Sequence, residues 1–266
     1  MKTVWKALAV AAGLALSVSF GAGAATAQTV NEIVQRGKVR IGVLIGAPPY
    51  GMVDARGNPT GYDTDVANEV ARYLGVPVEL IGLTPPSRIP ALEAGKIDFL
   101  VSTLAPTGER AKAVMFTIPY SAFQVGIYGK KTDNIKAWAD LKGKKVGVNR
   151  GSSLEPALLK NKAEGGYEIA YFEDDATVLQ ALFSGQVDTV ASPDAQANAA
   201  MKLRNDTTSE LKFFFGKQPN SMTVRKDAFE LHQYLNTLIY NMKLSGFLDE
   251  LSRKWVGSPL PELPTF

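Results

Sequence analysis

Leu92-Glu93-Ala94-Gly95-Lys96-Ile97-Asp98-Phe99-Leu100-Val101-Ser102 runs from the end of a helix, through a glycine, into a β-rich stretch. Leu182-Phe183-Ser184-Gly185-Gln186-Val187-Asp188-Thr189-Val190-Ala191-Ser192 repeats that grammar at matching offsets. Upstream of each copy lies a second echo, Arg40-Ile41-Gly42-Val43 before the first and Lys145-Val146-Gly147-Val148 before the second. Helix–glycine–strand corners are common singly. Two separate matches in the same order predict two lobes of similar topology.

Working outward, 39–43 reads as a strand and 54–59 as a turn. The stretch 63–74 is a helix with Val66, Val70, Ala71 and Leu74 on one face and Gly75 as its stop. A second strand is expected over 76–83, a short helix over 88–94 and a third strand over 97–102. Strands alternating with helices imply a parallel α/β sheet. In the last third, 213–215 and 223–224 read as two strands flanking Gly216-Lys217-Gln218-Pro219-Asn220. Helices follow over 227–244, with Leu231, Leu235, Leu238, Ile239 and Met242 on the apolar side, and over 247–255 after Gly246.

The 266 residues include no cysteine and one histidine, His232. Disulfides, thiol nucleophiles and thiolate metal sites are therefore excluded, and so are clusters of His ligands. The chain opens with a leader: Lys2 and Lys6, an apolar run over 7–20, then small residues ending in Ala25-Thr26-Ala27. That order is the grammar of a cleaved secretory signal peptide, and the run is too short for a membrane span. Cleavage after Ala27 leaves 239 residues with a formal charge of +1, which offers no electrostatic footprint for nucleic acid. The basic turn Lys142-Gly143-Lys144-Lys145 lacks interleaved aromatics and reads as solvated surface.

Open α/β sheets bind ligands beyond the carboxyl ends of their strands. Two such lobes facing each other would bring Ser102-Thr103 and Ser192-Pro193-Asp194 to one cleft. Arg110 follows the first strand end closely and could clamp a carboxylate, or could form a surface ion pair. Gly151-Ser152-Ser153 precedes a helix over 154–162, as an anion site or as an ordinary cap. Asp194 could hold a ligand ammonium or cap the helix that begins near Ala195. Asp63 and Asp65 are explained better by helix capping than by a metal. Neither a dinucleotide fingerprint, a phosphate loop nor a nucleophilic constellation is present.

Several motifs occur in a fixed order: Gly61-Tyr62-Asp63-Thr64-Asp65-Val66-Ala67, Arg88-Ile89-Pro90-Ala91-Leu92, Ser102-Thr103-Leu104 through Glu109-Arg110, Phe116-Thr117-Ile118-Pro119-Tyr120, Val146-Gly147-Val148-Asn149-Arg150-Gly151-Ser152-Ser153, and Leu244-Ser245-Gly246. Together they resemble the periplasmic solute-binding proteins of polar-amino-acid ABC transporters over nearly the whole mature chain. The resemblance implies a two-lobed type II periplasmic-binding-protein fold, α/β, hinged by two crossover strands. Lobe I would be residues 28–122 plus 217–266, and lobe II 123–216. It implies that Arg110 grips the ligand α-carboxylate, assisted by backbone N–H groups at Ala105 and Ser153. Asp194 would receive the α-ammonium beside Ser102 and Thr103.

The side-chain pocket departs from the family pattern, because its aromatic positions are Ala47 and Pro85. Tyr50 and Arg88 remain near it, and Arg88 either pairs with an acidic ligand side chain or is held by the protein. The implied function is a monomeric amino-acid receptor without cofactor or metal, docking on a membrane permease in the periplasm and binding no nucleic acid. Two alternatives are an exported dehydratase of the same fold, with Asp194, Glu155 or Glu173 as its acid, and a sensor component.

Overall fold

The computed structural model describes residues 29–264, and the leader expected over 1–27 lies outside them. The first half comprises α1 (Val30–Gln35), β1 (Val39–Leu44), the small hairpin β2 (Met52–Val53) and β3 (Pro59–Thr60), α2 (Tyr62–Leu74), β4 (Val78–Leu83), α3 (Arg88–Glu93), β5 (Phe99–Leu104) and β6 (Val114–Lys130). The second comprises β7 (Lys145–Asn149), α4 (Leu154–Gly165), β8 (Glu168–Phe172), α5 (Asp175–Ser184), β9 (Thr189–Pro193), α6 (Asp194–Leu203), β10 (Ser209–Arg225), α7 (Phe229–Leu244) and α8 (Phe247–Trp255). The main sheet has the order β4-β1-β5-β10-β6-β9-β7-β8. β4, β1 and β5 run parallel at one end, β8, β7 and β9 parallel at the other. Between them the antiparallel pair β6 and β10 joins two α/β lobes.

The internal repeat has a physical cause. In the first lobe the Asp98 N–H donates to Arg40 O (2.8 Å), and the Arg40 N–H donates back to Asp98 Oδ2 (2.8 Å). In the second lobe Asp188 N–H donates to Lys145 O (3.0 Å), and Lys145 N–H donates to Asp188 Oδ2 (2.7 Å). Each aspartate thus locks the start of one strand to the start of its neighbour. The register then agrees in both lobes: Gly42 pairs with Leu100 as Gly147 pairs with Val190. A Cβ at Gly42 would come within 2.7 Å of Ile97 Cδ1, and one at Gly147 within 3.3 Å of Val187 Cγ2. The glycines are there because the residue before the aspartate packs onto the strand backbone.

The C-terminal strand differs from the sequence expectation. Residues 213–215 and 223–224 belong to one strand, β10, which pairs with β6 from Ser209↔Lys130 to Arg225↔Val114 with several register shifts. Gly216 to Asn220 resembled a break, yet these residues pair with Val125 to Ser121. β5 meets β10 at Ser221 and Thr223, beyond this stretch. A glycine and a proline are tolerated because the strand has a single neighbour there.

Capping by the two N-terminal acids of α2 is also corrected. The cap position is Gly61, with no side-chain cap bond. Asp63 is fully buried and accepts from the Tyr120 hydroxyl (2.8 Å). Asp65 accepts from Lys254 Nζ and Trp255 Nε1, both at 2.7 Å, fastening α2 to α8. The apolar faces expected of α2 and α7 are buried as read, from Val66 to Leu74 and from Leu231 to Met242. His232 bonds Phe116 O at 2.8 Å and is structural.

Candidate functional site

β5 and β9 end opposite each other, as the repeat requires, and Thr103 and Pro193 both line a cavity between the lobes. Arg88, Arg110, Ser152 and Ser153 line it too. Its volume is about 20 Å³, room for a single water-sized sphere. The lobes are therefore closed on one another, and the contacts that close them are specific. Gly151 O accepts from Arg110 Nη2 (2.9 Å) and Arg88 Nη2 (3.5 Å), and Gly46 O accepts from Ala176 N–H (3.0 Å). The Ser153 hydroxyl donates to Gln218 Oε1 on the crossover strand.

The expected strand-end residues are held rigidly. Thr103 adopts a left-handed conformation with φ 46°, unusual for a β-branched residue and a place where strain is stored. Its N–H donates to the Tyr120 hydroxyl (3.0 Å), and its carbonyl accepts from Gln218 Nε2 (3.1 Å). Ser102 is buried, and its carbonyl accepts from Arg88 Nη1 (2.9 Å). Ala105 offers its carbonyl to Arg110 Nη1 (3.0 Å).

Arg88 and Arg110 dominate the electrostatics. Arg88 opens α3 and is 4% exposed; its Nε donates to Pro85 O (3.0 Å). Every hydrogen bond described for the two guanidinium groups goes to a backbone carbonyl. Burial, and then the Arg110 charge, lowers the Arg88 pKa to about 9; burial lowers that of Arg110 to about 10. A buried and a half-buried cation side by side, hydrogen-bonded to neutral carbonyls, make a candidate site for an anion.

Ser102 and Ala105 do not line the interlobe cavity, and two further expected residues lie elsewhere. Asp194 and Tyr50 line an adjoining cavity of about 500 Å³, which shares Phe123 with the first and lies between the crossover strands and the C-terminal tail at Ser258 and Pro259. Asp194 begins α6, accepts from the Ala195 N–H (2.8 Å), and has its carboxyl raised mainly by burial. The Tyr50 ring packs on Tyr62 (5.5 Å) and Phe123 (5.4 Å), and burial, then Asp63 and Asp194, raises its hydroxyl. Of the two positions expected to lack aromatics, Pro85 lines the interlobe cavity together with the ring of Phe123, whereas Ala47 is buried and does not line it. Glu155 and Glu173 line none of that cavity.

Four polar lining residues escaped the sequence reading: Asn149, Asp175, Gln196 and Gln218. A signal existed for Asn149, since the repeat aligns it with apolar Leu44 at the carboxyl end of the matching strand. Asp175 was hidden in Glu173-Asp174-Asp175. Asp174 takes the cap, accepting from Thr177 N–H (2.8 Å), and leaves Asp175 buried. Among the described residues no group of three or more acids or histidines could hold a metal, and no helix is long and apolar enough to cross a membrane.

Comparison with known proteins places this geometry. The family model for bacterial extracellular solute-binding proteins, family 3, matches residues 39–258. The L-cystine-binding protein TcyJ of Escherichia coli (strain K12) is 30% identical over 231 residues, 86% of each chain. A solved ancestral arginine-binding protein bound to arginine superposes with a TM-score of 0.78 at 37% identity, covering 83% of this chain and 98% of that one. The ancestral amino acid-binding protein AncCDT-1, a precursor of cyclohexadienyl dehydratase, gives 0.79 at 33% identity over 86% and 100%.

Proposed function

The chain belongs to family 3 of the bacterial extracellular solute-binding proteins, and from that membership we propose that it captures a free amino acid between its lobes for an ABC transporter. The observation that carries this reading is that the buried Arg88 and the half-buried Arg110 share one neutral carbonyl, Gly151 O. Opening the hinge withdraws that carbonyl with lobe II. A ligand α-carboxylate then takes its place on Arg110 with two oxygens instead of one, which suits the planar fork. Closure adds contacts from the second lobe that the open form lacks, so the ligand shifts the hinge by its differential affinity.

The lobe limits that fit this motion are 28–122 with 217–266, and 123–216. The strands support them: Ser121 to Gln124 and Lys217 to Asn220 pair with each other, outside the β5 and β9 contacts. We place the mature chain, cut after Ala27, in the periplasm as a monomer that hands its ligand to a membrane permease and binds no nucleic acid. It acts by binding and not by turnover, as the names of its relatives suggest. A thermal-shift screen of refolded, ligand-stripped protein against the standard L-amino acids and L-cystine tests this. A ligand selective for the folded state raises the melting temperature by mass action. A rise with one or a few amino acids is expected; no rise with any of them would overturn it.

A further inference from the structure

Asp194 was expected to meet the ligand ammonium, yet it lines a different cavity from Arg110. The strand-end position on the interlobe cavity is Pro193, which has no polar side chain. The lobe II wall facing the two arginines carries instead Asp175, Asn149 and Gln196, which are 5%, 4% and 1% exposed. Asn149 Nδ2 donates to Asp175 Oδ1 (2.9 Å). That bond fixes the amide orientation, since the reverse would set two oxygens against each other. Asn149 Oδ1, thus oriented, has no hydrogen-bond partner, and neither has Gln196 Oε1. Buried polar atoms are nearly always paired, so acceptors left open on a cavity wall mark what the wall is built to receive.

We propose that Asp175, with the amide oxygens of Asn149 and Gln196, forms the subsite for the ligand ammonium, and that Asp194 has no part in it. The inference rests on the amino-acid reading above. The charges support it: lobe I supplies the cations for a carboxylate, and lobe II supplies the acceptors for an ammonium. Burial raises the Asp175 carboxyl to about 7 against the pull of Arg88, a cost that an approaching cation relieves. Asn149 is the positioning residue, holding the carboxylate by its Nδ2 and offering its own oxygen beside it.

The test is calorimetric titration with two probes, the L-amino acid giving the largest thermal shift and the α-hydroxy acid of the same side chain. The readout is the ratio of their dissociation constants. Asp175→Asn should shrink that ratio at least about tenfold, by weakening the amino acid while leaving the hydroxy acid nearly unchanged. Asn149→Leu, which copies the Leu44 counterpart, should act in the same direction and covers the case in which Asp175→Asn fails to fold. Asp194→Asn should leave the ratio within about twofold. A ratio unmoved by either of the first two variants, or collapsed by Asp194→Asn, would overturn the assignment. Absence of amino-acid binding by the unmodified protein would instead remove the proposed function, and this subsite with it.

Discussion

The carbonyl of Gly151, in one lobe, accepts from Arg110 Nη2 at 2.9 Å and from Arg88 Nη2 at 3.5 Å, both in the other. Gly151 has φ +71°, and a Cβ there would stand 3.2 Å from Pro86 Cα across the cleft. Gly151→Ala therefore strains the backbone and presses on the facing lobe, at a cost of about 1–2 kcal/mol. The variant should show a larger radius of gyration than the unmodified protein in small-angle scattering without ligand, and weaker amino-acid binding by about 5- to 30-fold. Unchanged dimensions and affinity would mean that Gly151 does not govern closure.

The two aspartates of the internal repeat should differ in weight. Asp98, fully buried, accepts from the Arg40 N–H and from the guanidinium groups of Arg36 and Arg40. Asp98→Ala leaves two cations without their partner and should cost about 3 kcal/mol in denaturant unfolding. Asp188 accepts from the Lys145 N–H at an exposed position, so Asp188→Ala should cost about 1 kcal/mol. Equal losses would contradict the reading of Asp98 as an ionic hub.

Burial raises the Asp63 carboxyl from its ordinary 3.8 to about 7, offset in part by the Tyr120 hydrogen bond. Between those values the folded state holds a proton that the unfolded state has released, so stability falls as pH rises through that window. Asn at this position keeps an acceptor for the Tyr120 hydroxyl and cannot ionise. The melting temperature of Asp63→Asn relative to the unmodified protein should therefore be higher at about pH 8 than at about pH 4. A difference independent of pH would show that Asp63 does not titrate in this range.

The lobes were legible in the sequence because their cause is local. Asp98 and Asp188, with Gly42 and Gly147, recur wherever a strand start must be locked and a side chain laid on a strand. The crossover was less legible, since Gly216 to Asn220 carries turn residues that only pairing with β6 makes into a strand. In the site, Arg110, Thr103 and Ser153 followed from strand ends and motif order. Asp194 was expected on the interlobe cavity, but Pro193 lines it instead, because one step along a strand end changes which cavity a side chain lines. Asp175 and Gln196 lie on helices whose facing is set by packing across the sheet.

Capture of an amino acid by its carboxylate at Arg110 is tested most directly by calorimetric titration of the unmodified protein and of Arg110→Ala with the same L-amino acid. A single-site heat in the unmodified protein, weakened about 30-fold or more in Arg110→Ala, is the outcome that capture requires, because a desolvated charge-assisted contact is lost. Affinities within about threefold of each other would contradict it and place the carboxylate elsewhere.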